Sequence, residues 1–172
     1  IKTIASKRWY LLLLGVLLST TSLSLAIILK TNPKKKEKFS LFISLVETSV
    51  KTNEINEQIK SLNEFKEVTI TAISPDSSLY DNYYQTYGKT SDILIVREDL
   101  YQQVSQYSFM PIPEKYQSYS GEEEYGILLN GSKNYWEDYL SYDNNKYYLC
   151  INDSSVHKDT YCLDLLEVIF NV

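Results

Sequence analysis

From Trp9 to Leu29 the chain runs for 21 residues without an Asp, Glu, Lys, Arg or His, opening as WYLLLLGVLL and closing as LSLAIIL. No other feature limits the fold as strongly. At about 1.5 Å per residue, a helix over this run is roughly 31 Å long, close to the ~30 Å hydrocarbon thickness of a bilayer. Trp9 and Tyr10 fall where an interfacial belt belongs, and Lys7, Arg8 and Lys30 close the two ends. Two readings fit. One is an uncleaved single-pass transmembrane helix over residues 9–29, between a basic head (1–8) and a basic tether (30–38). The other is a cleaved signal peptide with Leu11–Leu18 as its apolar core and Ser24-Leu25-Ala26 as the cleavage site. The continuation Ile27-Ile28-Leu29 favours the anchor, because a signal peptide has no need of it. Basic residues lie on both flanks, so charge asymmetry alone does not orient the span. A short basic head, an apolar run and then a domain is the order in which exported chains begin. The expected location is therefore the cell membrane, with the C-terminal domain extracellular.

The charge divides at the same place. Residues 1–38 carry eight basic and one acidic side chain, whereas residues 39–172 carry nine basic and 21 acidic ones, a net −12. A domain that acidic is unsuited to nucleic acid, whose phosphates require a basic face. With 44% apolar residues the chain can bury a core, and the 134 residues after Lys38 make one domain.

Within that domain two periodicities alternate. Phe39–Leu45 and Val68–Ile73 are rich in strand formers. Between them Val50, Ile55, Ile59 and Leu62 mark one helix face, with Asn53 as the N-cap. A second helix is expected from Leu79 to Tyr87, stopped by Gly88, then a buried strand over Asp92–Val96 and a third helix over Glu98–Tyr107. Gly126–Leu129 and Tyr147–Ile151 read as further strands. Thr160–Phe170 reads as a closing helix with Tyr161, Cys162, Leu165, Leu166, Ile169 and Phe170 inward. The segment Asn130–Lys146 between those strands reads as a short helix or a loop. Strands alternating with helices imply crossovers, hence an α/β fold with a largely parallel sheet and helices on both faces.

Few residues carry a chemical signature. Gly88-Lys89-Thr90 lacks the glycine five positions earlier that a phosphate loop requires. His157 is the only histidine and is expected on a solvent-facing turn. Glu122–Glu124 reads as a solvated loop. No nucleophile elbow, zincin helix, calcium loop or dinucleotide fingerprint occurs, so no enzyme activity, catalytic residue, metal site or cofactor is expected. Of 16 tyrosines, 14 lie between Tyr80 and Tyr148. Tyr80, Tyr83, Tyr84 and Tyr87 form a helical stripe that reads as core packing. The loop aromatics Tyr116, Tyr119, Tyr135, Trp136 and Tyr139 are better placed to stack on a sugar or peptide, Tyr135 and Trp136 being the ligand candidates. Cys150 and Cys162 are either a disulfide, contributing roughly 3 kcal/mol for a loop of this length, or two buried thiols.

The order KFSLFISL, NEINEQIKSL, EVTITAI, LYDNYYQTYG, SDILIV, then EDLYQQVSQYSFMPIP and Tyr125-Gly126-Ile127, and finally KYYLCINDSSVHKDTYCLDLLEVIF, resembles the first lobe of the extracellular solute-binding proteins of ABC importers, especially the sugar-binding class. The resemblance implies a single lobe with strand order 2-1-3, a hinge strand at Tyr125–Ile127 and a return strand at Lys146. It leaves about fifteen residues where the family has a second lobe, and the membrane anchor stands in place of a lipid-bearing cysteine. It implies a module accessory to an ABC importer, docking on the permease or on a full-length binding protein, with a small solute or sugar as ligand. Any ligand site of an open α/β sheet lies at the carboxyl ends of its strands. There the polar candidates are Glu47, Asp76 and Arg97. The alternative is a ligand-free structural or interaction protein of the cell surface.

Overall fold

The computed structural model describes residues 38–62, 65–120 and 123–171. The expected transmembrane helix, basic head and most of the tether lie outside them. Among the described residues no helix is long and apolar enough to cross a membrane.

The described part is a mixed α/β domain around a five-stranded sheet. Strands β1 (Lys38–Ile43), β2 (Glu67–Ala72), β3 (Ile93–Arg97), β4 (Ile127–Leu128) and β5 (Tyr147–Ile151) are arranged in the order β2-β1-β3-β5-β4. β1 pairs parallel with both β2 and β3, with Phe42 opposite Thr71 and Leu94. β5 runs antiparallel to β3 and to β4, so four of the five strands point the same way. The helices are α1 (Thr52–Leu62), α2 (Tyr80–Thr86), α3 (Glu98–Ser108), a single turn α4 (Gln117–Ser120) and α5 (Tyr161–Phe170).

The strands alternate their side chains between two cores, as the period of two requires. Phe39, Leu41 and Ile43 of β1, Ile93 and Ile95 of β3, and Tyr147, Leu149 and Ile151 of β5 face the larger core, which α1 closes with Ile55 and Ile59 and α5 with Leu165, Leu166 and Ile169. Phe42, Leu94, Val96, Tyr148 and Cys150 point the other way, into a smaller aromatic core under α2 and α3 that holds Tyr80, Tyr84 and Tyr101. Both faces of the sheet are therefore covered, which is why β1, β3 and β5 are nearly continuous apolar runs.

Several local expectations are corrected. α1 begins at Thr52, so Asn53 is inside its first turn and not its cap. The tyrosine stripe of α2 is split: Tyr80 and Tyr84 are buried while Tyr83 and Tyr87 remain exposed. α2 continues into a short 3-10 turn at Gly88–Thr90. There a β-carbon on Gly88 would come within 2.5 Å of the Tyr84 ring. The 130–146 segment, expected as a short helix or a loop, takes the second form, a series of turns without a helix. His157 is not solvent-facing: it is 1% exposed, with Nε2 3.0 Å from the Lys38 carbonyl and its ring among Phe39, Phe65 and Tyr161. Of the two arrangements expected for Cys150 and Cys162, the buried thiols are observed and the disulfide is not: they lie in different cores, on opposite faces of the sheet, so a bridge between them would have to pass through it.

Candidate functional site

The carboxyl ends of β1, β2 and β3 open onto one edge of the sheet, and the connection from β4 to β5 leaves from and returns to that edge. It is held there by backbone: Lys51 N–H donates to the Tyr139 carbonyl (2.9 Å), Ser141 N–H donates to the Ser49 carbonyl (2.9 Å), and Val50 and Leu140 form an isolated bridge.

Beneath this short strap lies a cavity of about 260 Å³ whose wall includes Val46 and Ser49 from the loop after β1, Asp76 from the loop after β2, and Tyr142, Asp143 and Tyr147 from the strap and β5. The Tyr142 and Tyr147 rings are 5.4 Å apart, centroid to centroid. Asp143 accepts hydrogen bonds from the Asn145 backbone N–H (2.8 Å) and side-chain amide (3.0 Å). Those bonds hold its carboxyl below the usual range, so it is an anion at neutral pH. Burial, followed by the nearby Asp143 charge, pushes the Tyr147 hydroxyl well above its ordinary value. Burial does the same to Tyr142, whose hydroxyl has no hydrogen-bond partner among the described residues. The exposed Asp143 carboxylate and the Ser49, Ser74 and Ser141 side chains suit a ligand with several hydroxyl groups, while Tyr142 and Tyr147, whose hydroxyl and ring respectively are buried, shape the wall.

Of the residues chosen from sequence, Asp76 and Arg97 meet at this edge. Arg97 closes β3, and its side chain is 17% exposed. Its Nε and Nη2 donate to the two carboxylate oxygens of Asp99 (3.0 and 2.7 Å), and its Nη1 donates to Asp76 Oδ1 (2.8 Å). The Asp99 and Asp76 carboxylates raise the guanidinium further above its ordinary value, and Arg97 lowers Asp99 in return. Arg97 is thus already committed to two carboxylates and serves as a latch between the β2 loop and the start of α3. Glu47 sits exposed in the 3-10 turn Glu47–Ser49 and does not form part of the cavity wall.

The two aromatic candidates part company. Trp136 is fully buried, its indole N–H donating to Gln58 Oε1 on α1, so it offers no surface to a ligand and is corrected to a core residue. Its neighbour Tyr135 is 61% exposed. Tyr116 is also buried, with its hydroxyl donating to the Leu163 carbonyl.

Tyr142, Asp143 and Tyr147 were not singled out from the sequence. The one signal that points to them is topological: a connection between β4 and β5 has to lie at the carboxyl edge once their directions are known. Among the described residues no three His, Cys, Asp or Glu side chains come together to hold a metal ion. Comparison of the chain with protein-family models, with curated proteins and with solved structures yields no match.

Proposed function

We propose that this chain is a membrane-tethered, outward-facing α/β module of the solute-binding-lobe type that takes a small polyhydroxylated solute at the carboxyl edge of its sheet, beside an ABC importer. The observation that carries the reading is the cavity under the β4–β5 strap, lined from the carboxyl ends of β1 and β2 and from the strap, at the edge where open α/β sheets bind ligands. The order β2-β1-β3, shared with other doubly wound sheets, agrees with it, as does the pairing of β4 with β5, the strands that the resemblance reads as hinge and return. A single lobe covers one side of its ligand, so binding is weaker than in a two-lobed clamp that closes and excludes water. Partnership with a permease or a full-length binding protein would then supply the missing face.

The test is a thermal-shift panel of monosaccharides, disaccharides and other polyols on the purified 172-residue chain. A solute present at about one hundred times its Kd adds about 2.7 kcal/mol to stability and raises the midpoint by several degrees. Asp143→Asn, which weakens the acceptor without touching the core, should abolish the rise. A flat panel contradicts the reading. A second reading, a ligand-free interaction protein of the cell surface, is favoured by one observation: Arg97 is spent on Asp76 and Asp99 and has no free face for a ligand. A flat panel, together with no importer subunit retained on the immobilised chain, is the result that reading expects.

A further inference from the structure

Away from the carboxyl-edge cavity, two tyrosine rings stand beside a row of polar side chains on α1. Tyr135 and Tyr139 are edge to face, their centroids 6.4 Å apart at 72°. With Asn53, Glu54, Glu57 and Gln58 they line a shallow depression of about 470 Å³. Positions i, i+1, i+4 and i+5 set those four α1 residues on adjoining rows of one helix face.

The turn that carries the rings is fixed by its backbone. Tyr135 N–H donates to the Ile169 carbonyl (2.7 Å), and Tyr139 N–H donates to the Trp136 carbonyl (2.9 Å). The Asn134 side chain donates to the Leu129 and Ser132 carbonyls and accepts the Trp136 N–H (3.0, 2.9 and 3.0 Å). The buried Trp136 indole holds Gln58 by its oxygen, which leaves the amide N–H groups of Gln58 to donate elsewhere. Glu54 and Glu57 form no ion pair among the described residues. An exposed ring on a fixed turn, beside unspent donors and acceptors, costs little conformational entropy to engage.

We propose that this surface is a platform for a neutral oligosaccharide chain, with one sugar ring stacked on Tyr135 and the hydroxyls of its neighbours bonded to Asn53, Glu54, Glu57 and Gln58. A pyranose presents an apolar C–H face and a rim of hydroxyls that both donate and accept, and the platform supplies the complement of each. The depression is too open to enclose a small molecule, which needs most of its surface buried, but it fits the side of an extended chain. Glu54 and Glu57 face an anionic glycan with like charge, so the chain is a neutral one. The platform does not depend on the carboxyl-edge cavity.

The experiment titrates the 172-residue chain, held in a polyoxyethylene-ether detergent that carries no sugar, with cellohexaose, chitohexaose and maltohexaose by calorimetry. At least one hexaose should bind, more tightly than its trisaccharide. Tyr135→Ala should weaken that binding about tenfold or more and Glu57→Gln about threefold, with far-UV circular dichroism unchanged. Asp143→Asn should leave it intact. Absence of binding by all three sugars overturns the proposal, as does equal affinity in Tyr135→Ala. Loss on Asp143→Asn but not on Tyr135→Ala also overturns it and assigns the sugar to the cavity. Decalysine binding more tightly than any hexaose, and lost in high salt, overturns it in favour of a basic peptide.

Discussion

Trp136 fills the larger core with no exposed surface and ties the strap to α1 through Gln58. Removing it leaves a cavity that the fixed turn cannot collapse into, so Trp136→Ala should cost about 3–5 kcal/mol in denaturant unfolding of the chain. Trp136→Phe, which keeps most of the volume and loses the N–H, should cost roughly 1–2 kcal/mol. Tyr80 is the counterpart in the smaller core. Its hydroxyl shares a 2.5 Å hydrogen bond with Ser44, and burial pushes it up from its ordinary value of 10.0 to about 12. Because the folded state holds that proton more tightly than the unfolded one, the associated stability is complete below pH 10.0 and is lost as pH rises towards about 12. Burial shifts Tyr84, Tyr101 and Tyr147 in the same direction. Denaturant midpoints should therefore fall steeply above about pH 10, and Tyr80→Phe should blunt the fall while lowering stability at neutral pH by about 1 kcal/mol through the stranded Ser44 hydroxyl. A midpoint independent of pH across that window would refute the assignment.

At the scale of elements, what could be read from sequence is what a period reports. Tyr147–Ile151 was legible because every residue is buried, and the α5 face because Cys162, Leu165, Leu166 and Ile169 recur at helical spacing. What was not legible depends on partners distant in sequence. His157 looks polar and solitary in the chain, yet the β1 start and α5 close over it, and a lone histidine carries no signal of that. Trp136 lies in a polar turn, and only the packing of the strap on α1 buries it. The cysteines belong here too: their separation in sequence permits a bridge, but the alternation along β5 sends Cys150 to one face while α5 keeps Cys162 on the other. Burial raises both thiols above their ordinary value. Alkylation of the native chain at neutral pH should label neither cysteine, and denaturation without reductant should expose two; a single mass consistent with a bridge would contradict the two-core placement. Close approach fixes the end of α2 in the same way. Gly88→Ala would press its methyl into the Tyr84 ring and should destabilise the domain by about 1–3 kcal/mol, seen as a lower denaturant midpoint.

Across the whole molecule the candidate site was only half visible. Asp76 and Arg97 follow from the rule that ligands sit at strand carboxyl ends, and they meet there, but as a latch with Asp99 and not as a free ligand pair. The groups that line the cavity beside them come from the strap, whose place depends on the antiparallel return of β5. The proposal of an acidic module held at a membrane surface rests on the net −12 of residues 39–172 and the apolar run at 9–29. The central claim is that the carboxyl edge takes a small polyhydroxylated solute. The most direct test is an amide chemical-shift map of the 172-residue chain, titrated with whichever small sugar or polyol raises its melting midpoint. The shifts should cluster in Leu45–Ser49, Ser74–Asp76 and Ser141–Tyr147 and vanish in Asp143→Asn. Shifts confined to other surfaces, or no solute that raises the midpoint at all, would contradict it.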